Sequence, residues 1–154
     1  MTHRLTTWQK ALGLLVLGAL FALALSAVGA SAATAATLTV NIENLRSAKG
    51  DVHLALWDRS ESFTDSDLKL AGAKISAEGG TSLEFKNLRP GRYALAVYHD
   101  ENGNGEFDRT WIGLPAEGLG FSNGAWIGFG PPSFDEAAVT VDGKGNTIVI
   151  ALRY

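Results

Sequence analysis

The chain has 154 residues, a length that suits one domain, with 46% hydrophobic and 19% charged residues, which excludes a wholly disordered protein. Its 13 basic and 16 acidic residues give a formal charge of −3 and form no basic block, so we expect no nucleic-acid binding through phosphate neutralisation. Cysteine is absent, which excludes disulfides, thiol catalysis and cysteine zinc sites.

The N-terminal segment has the pattern of a secretory signal peptide. Arg4 and Lys10 precede an apolar run over residues 11–25, and Ala30-Ser31-Ala32 has the small-x-small form of a cleavage site. We predict a signal peptide over residues 1–32, cleavage between residues 30 and 36, and a periplasmic or secreted protein with no membrane segment after cleavage. An uncleaved anchor is the alternative, because the apolar segment approaches the length of a membrane span.

From Thr37 onward, apolar side chains alternate with polar ones, which is typical of half-buried strands. A short helical turn is expected near Ser62 and Asp65. The glycine-rich turn at 142–146 is expected to join the last two strands as a C-terminal hairpin. The predicted strands contain residues 38–42, 52–56, 74–76, 83–85, 93–98, 139–141 and 148–152.

This pattern predicts an all-β fold over residues 37–154, an antiparallel β-sandwich of about seven strands in one domain. The segment 93–98 is apolar on both faces and is predicted to be a central strand. A turn precedes it, in which Pro90 presets φ and Gly91 tolerates a positive φ.

The segment around this turn resembles a known signature. The pattern of prealbumin-like and carboxypeptidase-regulatory-like sandwich domains is similar to Phe85-x-Asn87-Leu88-x-Pro90-Gly91-x-Tyr93. The following stretches resemble the bacterial secreted family called domain of unknown function 2141 (DUF2141): Tyr98-His99-Asp100-Glu101-Asn102-Gly103-Asn104-Gly105, Gly113-x-Pro115-x-Glu117-Gly118 and Gly130-Pro131-Pro132-Ser133-Phe134-Asp135. The resemblance implies an exported Ig-like or transthyretin-like sandwich and no known activity.

The loop 100–108 has the spacing of a calcium site. Oxygen-bearing side chains occupy positions 1, 3, 5 and 9 of an EF-hand-type loop, with Gly105 at position 6 and the carbonyl of Glu106 at position 7. These side chains are Asp100, Asn102, Asn104 and Asp108.

Position 12 of this loop departs from the calcium pattern, because Trp111 stands where a bidentate Glu is expected. Glu101, Glu106 or Glu117 could complete the site, and spacing alone does not choose between them. The alternative is a solvated turn, since Asn-Gly pairs form turns without any metal. Calcium is the one cofactor that the sequence predicts.

The segment 111–134 is glycine-rich and contains several aromatic residues. Long segments without regular structure are often functional, and aromatic side chains supply large contact areas. One interpretation is a platform that binds an envelope protein, a peptide or a glycan; the other is a loop that covers one end of the sandwich. The predicted platform residues are Trp111, Phe121, Trp126 and Phe129.

The sequence lacks the common catalytic motifs. His53 is predicted to lie on a solvent-facing side, and His99 and Asp100 point to opposite faces of their strand, so they form no dyad. We expect a non-catalytic binding or accessory module of the cell envelope. The alternative is a hydrolase that uses His99 with Asp100, Asp108 or Glu117.

Overall fold

The computed structural model describes residues 35–154 apart from Ile127 and Phe129. The predicted signal peptide and one predicted platform residue, Phe129, therefore lie outside the described residues. The described part of the chain contains eight strands in two sheets, with only short helical segments between them. The predicted all-β sandwich is confirmed, with one strand more than expected.

Three strands form the first sheet and five form the second. In chain order they are β1 (Ala36–Glu43), β2 (Asp51–Trp57), β3 (Ala71–Ser76), β4 (Ser82–Leu88), β5 (Gly91–Asp100), β6 (Gly118–Phe121), β7 (Val139–Val141) and β8 (Asn146–Ala151). The first sheet has the order β4-β1-β8, and the second has the order β3-β2-β5-β6, with β7 paired to the start of β5. Pairing is antiparallel throughout these two sheets except between β1 and β8, which run parallel.

The main core lies between the two sheets. In β1 the residues at 36, 38, 40 and 42 are buried, and in β2 those at 52, 54 and 56 are buried, as the alternating sequence predicts. From β5, the side chains of Tyr93, Leu95 and Val97 join this core. The opposite side of the five-stranded sheet, called the outer face below, therefore carries the side chains of Ala94, Ala96 and their alternating neighbours.

The chain passes from one sheet to the other at the turn between β4 and β5. Asn87, the next-to-last residue of β4, has a positive φ (60°), whereas the φ of Gly91 is not positive, so the turn does not use the conformational freedom of this glycine. Asn tolerates the left-handed region better than most side chains do. The Tyr93 hydroxyl donates a 2.7 Å hydrogen bond to the Arg89 carbonyl and ties the turn to β5, much as a tyrosine corner does in other sandwiches.

The predicted C-terminal hairpin is wrong. β7 pairs with β5, whereas β8 pairs with β1, so the turn at 142–146 connects two different sheets. The alternating pattern identifies both strands correctly, but it carries no information about which neighbour each one pairs with. The expected helical turn near Ser62 and Asp65 is present as two 3-10 segments, Ser60–Ser62 and Ser66–Leu68.

A smaller apolar cluster covers part of the outer face. It contains Ala94 of β5, Leu119 and Phe121 of β6, and Phe134 and Ala137 of α1 (Phe134–Ala137). The short helix α1 begins with a capping box, in which the Ser133 hydroxyl and the Glu136 carboxylate each accept a hydrogen bond from the other residue's backbone N–H. The short helix α1 thus packs on the outer face.

Candidate functional site

Asp100 ends β5 and begins the loop 100–108, called the Asp100 loop below. Its side chain is 1% exposed and accepts hydrogen bonds from the backbone N–H groups of Gly103 (2.8 Å), Asn104 (3.2 Å) and Gly105 (2.8 Å). Burial raises the pKa of Asp100, but these three donors outweigh burial, so its pKa lies below the ordinary value. The loop therefore wraps around a carboxylate that stays ionised.

The amide side chains of the loop converge on Asp108. Asn102 Nδ2 donates to Asp108 Oδ2 at 2.6 Å, and Asn104 Nδ2 donates to the same oxygen at 3.0 Å. The two amide oxygens accept from backbone N–H groups two residues further on, those of Asn104 (2.9 Å) and Glu106 (2.8 Å). The structure thus brings the predicted ligands Asp100, Asn102, Asn104 and Asp108 into one compact loop, while the side chain of Glu106 is exposed.

A hairpin-like return brings Glu117 back to the loop. Arg109 and Pro115 form an isolated antiparallel bridge, and the Ala116 N–H donates to the Asp108 carbonyl at 3.0 Å. Glu117, just before β6, is 5% exposed, and its Oε2 accepts from the Asp108 N–H at 3.2 Å. Of the candidates that the sequence left open for the missing ligand, Glu117 is the one held against Asp108.

One oxygen of Glu117, Oε1, is buried and has no hydrogen-bond partner among the described residues. Burial raises the pKa of Glu117 above its ordinary value, and the charges of Asp100 and Asp108 raise it further, against the opposing hydrogen bond from the Asp108 N–H and a smaller opposing contribution from the Glu101 backbone. A buried carboxylate oxygen without a donor is costly, and two neighbouring carboxylates add to the cost. The surroundings of Glu117 therefore disfavour its ionised form.

His53 borders the same cluster from β2. Its Nε2 lies 3.5 Å from Asp100 Oδ2 and is the second buried side-chain atom without a hydrogen-bond partner in the described part of the chain. Its ring stacks on Tyr98, the residue directly opposite on β5, with ring centroids 4.6 Å apart. His53 was predicted to face solvent; it lies on the side away from the core as expected, but its side chain is only 22% exposed.

Among the described residues, no three His, Asp or Glu side chains lie close enough together to hold a metal ion by themselves. A cation at the Asp100 loop would therefore need the amide and backbone oxygens of the loop as well as carboxylates. Such a mixed set of oxygens suits a hard cation such as Ca²⁺.

His99 is buried, and both of its ring nitrogens are held by neighbouring groups. It is fully buried, with Nδ1 2.7 Å from the Tyr154 hydroxyl and Nε2 2.8 Å from the Lys49 carbonyl. It points away from Asp100, as the strand geometry predicts. Because both ring nitrogens are engaged, the geometry offers no free nitrogen for the general base that the hydrolase alternative requires.

The described platform residues lie in three different environments. Trp111 is 96% exposed at the tip of the return between Asp108 and Glu117. Phe121 is buried in the outer-face cluster, and Trp126 packs under the guanidinium of Arg153, 4.2 Å from its ring centroid. Trp111, Phe121 and Trp126 therefore do not share one exposed surface.

Comparison with known proteins agrees with the resemblance noted in the sequence. The family described as "Uncharacterized protein conserved in bacteria (DUF2141)" matches residues 40–149. The chain belongs to this family. The match begins within β1 and ends within β8, so it includes the Asp100 loop and Glu117 of this DUF2141 protein.

No curated protein matches this DUF2141 chain. In the part of the chain that the structure describes, no helix has the length and apolar character required to cross a bilayer. The family description assigns no activity, and a fold by itself does not determine one.

Proposed function

We propose that this DUF2141 protein is an exported, non-catalytic binding module whose Asp100 loop holds a calcium ion, with Glu117 as the ligand that closes the site. The observation that carries the proposal is the unpartnered, buried Oε1 of Glu117 beside two further carboxylates. A divalent cation would supply the missing partner and offset the repulsion among the three acids.

The oxygens of these residues are of the kinds that calcium prefers, and a bound ion would replace the hydrogen bonds from the Asn102 and Asn104 amides to Asp108. Asp100, Asp108 and Glu117 supply carboxylates, Asn102 and Asn104 supply amide oxygens, and Glu106 supplies a backbone carbonyl. Calcium accepts six to eight oxygens in flexible geometry, whereas magnesium demands a small octahedron and keeps its waters. In this scheme Glu117 takes the role that position 12 has in an EF-hand, and it comes from the next strand.

Export is the second part of the proposal and rests on the signal-peptide pattern of residues 1–32. A weak site is sufficient outside the cytoplasm, where calcium-binding modules have dissociation constants of about 0.1–1 mM. Intact-mass measurement of the protein recovered from the periplasm or the medium tests this part. We expect a chain that begins between residues 31 and 37, and a full-length chain confined to membranes would contradict export.

Thermal melting of the purified protein tests the cation site. With a dissociation constant near 0.1 mM, about 10 mM calcium would stabilise the folded protein by about 2.7 kcal/mol relative to EDTA. For a domain of this size that corresponds to roughly 10 °C in melting temperature. Magnesium at the same concentration should shift the melting temperature far less.

Two charge-removing variants make the melting experiment specific. Asp100→Asn should abolish the calcium shift, because the central carboxylate of the loop is lost. Asp142→Asn is the matched control: Asp142 also accepts a backbone hydrogen bond in a glycine-rich turn, from Lys144 at 2.8 Å, but lies in another loop. Superimposable curves in calcium and EDTA, or an equal loss of the shift in both variants, would refute the site.

A further inference from the structure

A cleft lies on the outer face of the five-stranded sheet, bordered by residues of the segment between β5 and β6. Its volume is about 680 Å³, within the range of small-molecule sites. We propose that this cleft binds a small carboxylic acid with an apolar body. This site is distinct from the proposed calcium site and does not require it.

The floor of the cleft is a row of very small residues. Ala55 of β2 pairs with Gly72 of β3 on one side and with Ala96 of β5 on the other. The neighbouring cross-strand pair on the same face, His53 and Tyr98, has large aromatic rings. The sheet surface is therefore hollow along this row and raised beside it.

The walls of the cleft are apolar and partly exposed. Phe107 meets the Tyr98 ring edge-on at 5.5 Å, and Trp57 and Phe121 also line the space. At the rim, Ile112 and Leu114 are 58% and 57% exposed, which leaves apolar area in water that a ligand would cover.

The charged groups of the cleft are cationic. Among the described residues, Lys69 and Arg109 line the cleft, and no acidic residue does. Neither forms an ion pair with a carboxylate in the described chain; their hydrogen bonds go to the carbonyls of Ser66 (2.6 Å) and Gly113 (3.3 Å). In a protein with an excess of acidic residues, this cleft thus presents two uncompensated positive charges.

The glycine at position 72 leaves room for the Lys69 side chain to reach the cleft. A Cβ at Gly72 would lie 2.9 Å from Lys69 Cε, so the lysine stem crosses the sheet edge where glycine leaves room. Arg109 stacks its guanidinium over the Phe107 ring, 5.0 Å from its centroid, and the donors that do not bind the Gly113 carbonyl can bind a carboxylate. An apolar floor with cations at the rim fits an apolar acid better than a glycan, which needs many polar partners.

Calorimetric titration of the purified protein in EDTA tests the proposal without any contribution from calcium. Octanoate and naphthoate are the probes, and octanol and naphthylmethanol are their uncharged counterparts. We expect one acid or both to bind at least about tenfold more tightly than the matching alcohol, because a charge-assisted hydrogen bond contributes more than a neutral one. The preferred acid distinguishes an aliphatic from an aromatic ligand.

Three variants locate the binding. Arg109→Gln should lower the affinity for the acid towards that for the alcohol. Ala55→Leu should abolish binding of both the acid and the alcohol, because the leucine side chain occupies the space above the floor. Lys144→Gln, on the turn before β8, is the matched charge control and should leave binding unchanged.

Two results would overturn the carboxylate cleft. One is the absence of binding by both acids; the other is equal binding of acid and alcohol with no effect of Arg109→Gln. Because Arg109 is exposed, its variant should fold, and its melting temperature verifies this. Retained acid binding in Ala55→Leu would place the ligand elsewhere and would also contradict the proposal.

Discussion

Glu117 is buried in a place that does little to stabilise its charge. One oxygen accepts a 3.2 Å hydrogen bond from the Asp108 N–H and the other accepts none among the described residues. Burial, followed by the charges of Asp100 and Asp108, raises the pKa of this carboxyl. Such an arrangement costs stability unless a ligand compensates it, which is typical of binding sites.

Glu117→Gln should therefore have opposite effects with and without cation. In EDTA the substitution relieves repulsion among three acids, so we expect the free energy of unfolding to rise. The increase should exceed about 0.5 kcal/mol, the usual size of the effect of a surface substitution. In calcium the variant should lose most of the stabilisation. Chemical unfolding in both buffers measures the two effects.

Glu106→Gln is the control for this experiment, because it removes an exposed carboxylate from the same loop and keeps the backbone carbonyl. We expect it to retain the calcium response. If Glu117→Gln instead destabilises the protein in EDTA and keeps the full calcium response, Glu117 is a structural residue.

The sequence singles out the proposed ligands of the Asp100 loop more readily than the residues that pack around them. Asp100, Asn102, Asn104 and Asp108 are recognisable because a chain that winds around a cation repeats its oxygens at short, fixed spacing. The position of Glu117 depends on the return of the chain after Asp108, which no local spacing encodes.

At the scale of elements, β5 organises the molecule. It pairs with β2, β6 and β7, and both of its faces are largely buried. The backbone N–H of Leu95 donates to the buried Ser122 hydroxyl at 2.9 Å, and that hydroxyl donates to the Ala137 carbonyl at 2.5 Å. Ser122 thus links β5 to the chain beyond β6.

Leu95→Ala should destabilise the protein by about 2–5 kcal/mol, because Leu95 is fully buried in the main core. Val149→Ala, at a half-exposed position of β8, should cost less than about 1 kcal/mol. Urea unfolding of both variants gives the comparison. Equal losses would argue against the central position of β5.

The strand that the sequence did not predict is β6, and its composition explains why. Gly118-Leu119-Gly120-Phe121 contains two glycines, which rarely indicate a strand. A Cβ at Gly120 would lie 2.8 Å from the Ala151 carbonyl oxygen, and one at Gly118 would lie 2.4 Å from the Tyr154 ring. These glycines allow the C-terminal segment to approach closely, a requirement that arises only in the folded chain.

At the scale of the whole molecule, the two proposed sites share one segment of chain. Phe107 and Arg109 line the cleft, and Asp108 between them is a proposed calcium ligand. A cation that holds Asp108 should also hold both of its neighbours in place. Binding at one site should then strengthen binding at the other by the same factor, since linkage is reciprocal.

We expect calcium to raise octanoate affinity at least about fivefold, a typical lower limit for coupled sites. Calorimetric titrations in calcium and in EDTA measure this factor. Asp100→Asn should bind octanoate in EDTA like the original protein and show no gain in calcium. Equal affinities of the original protein in both buffers would show that the sites act independently.

The central claim is that a calcium ion joins the Asp100 loop to Glu117. The most direct test is a crystal structure of the protein grown in calcium, with anomalous diffraction used to identify the ion. The account predicts one calcium ion about 2.3–2.6 Å from an oxygen of Glu117 and from carboxylate, amide or backbone oxygens of the Asp100 loop. A loop without an ion, or an ion whose ligands do not include Glu117, would contradict it.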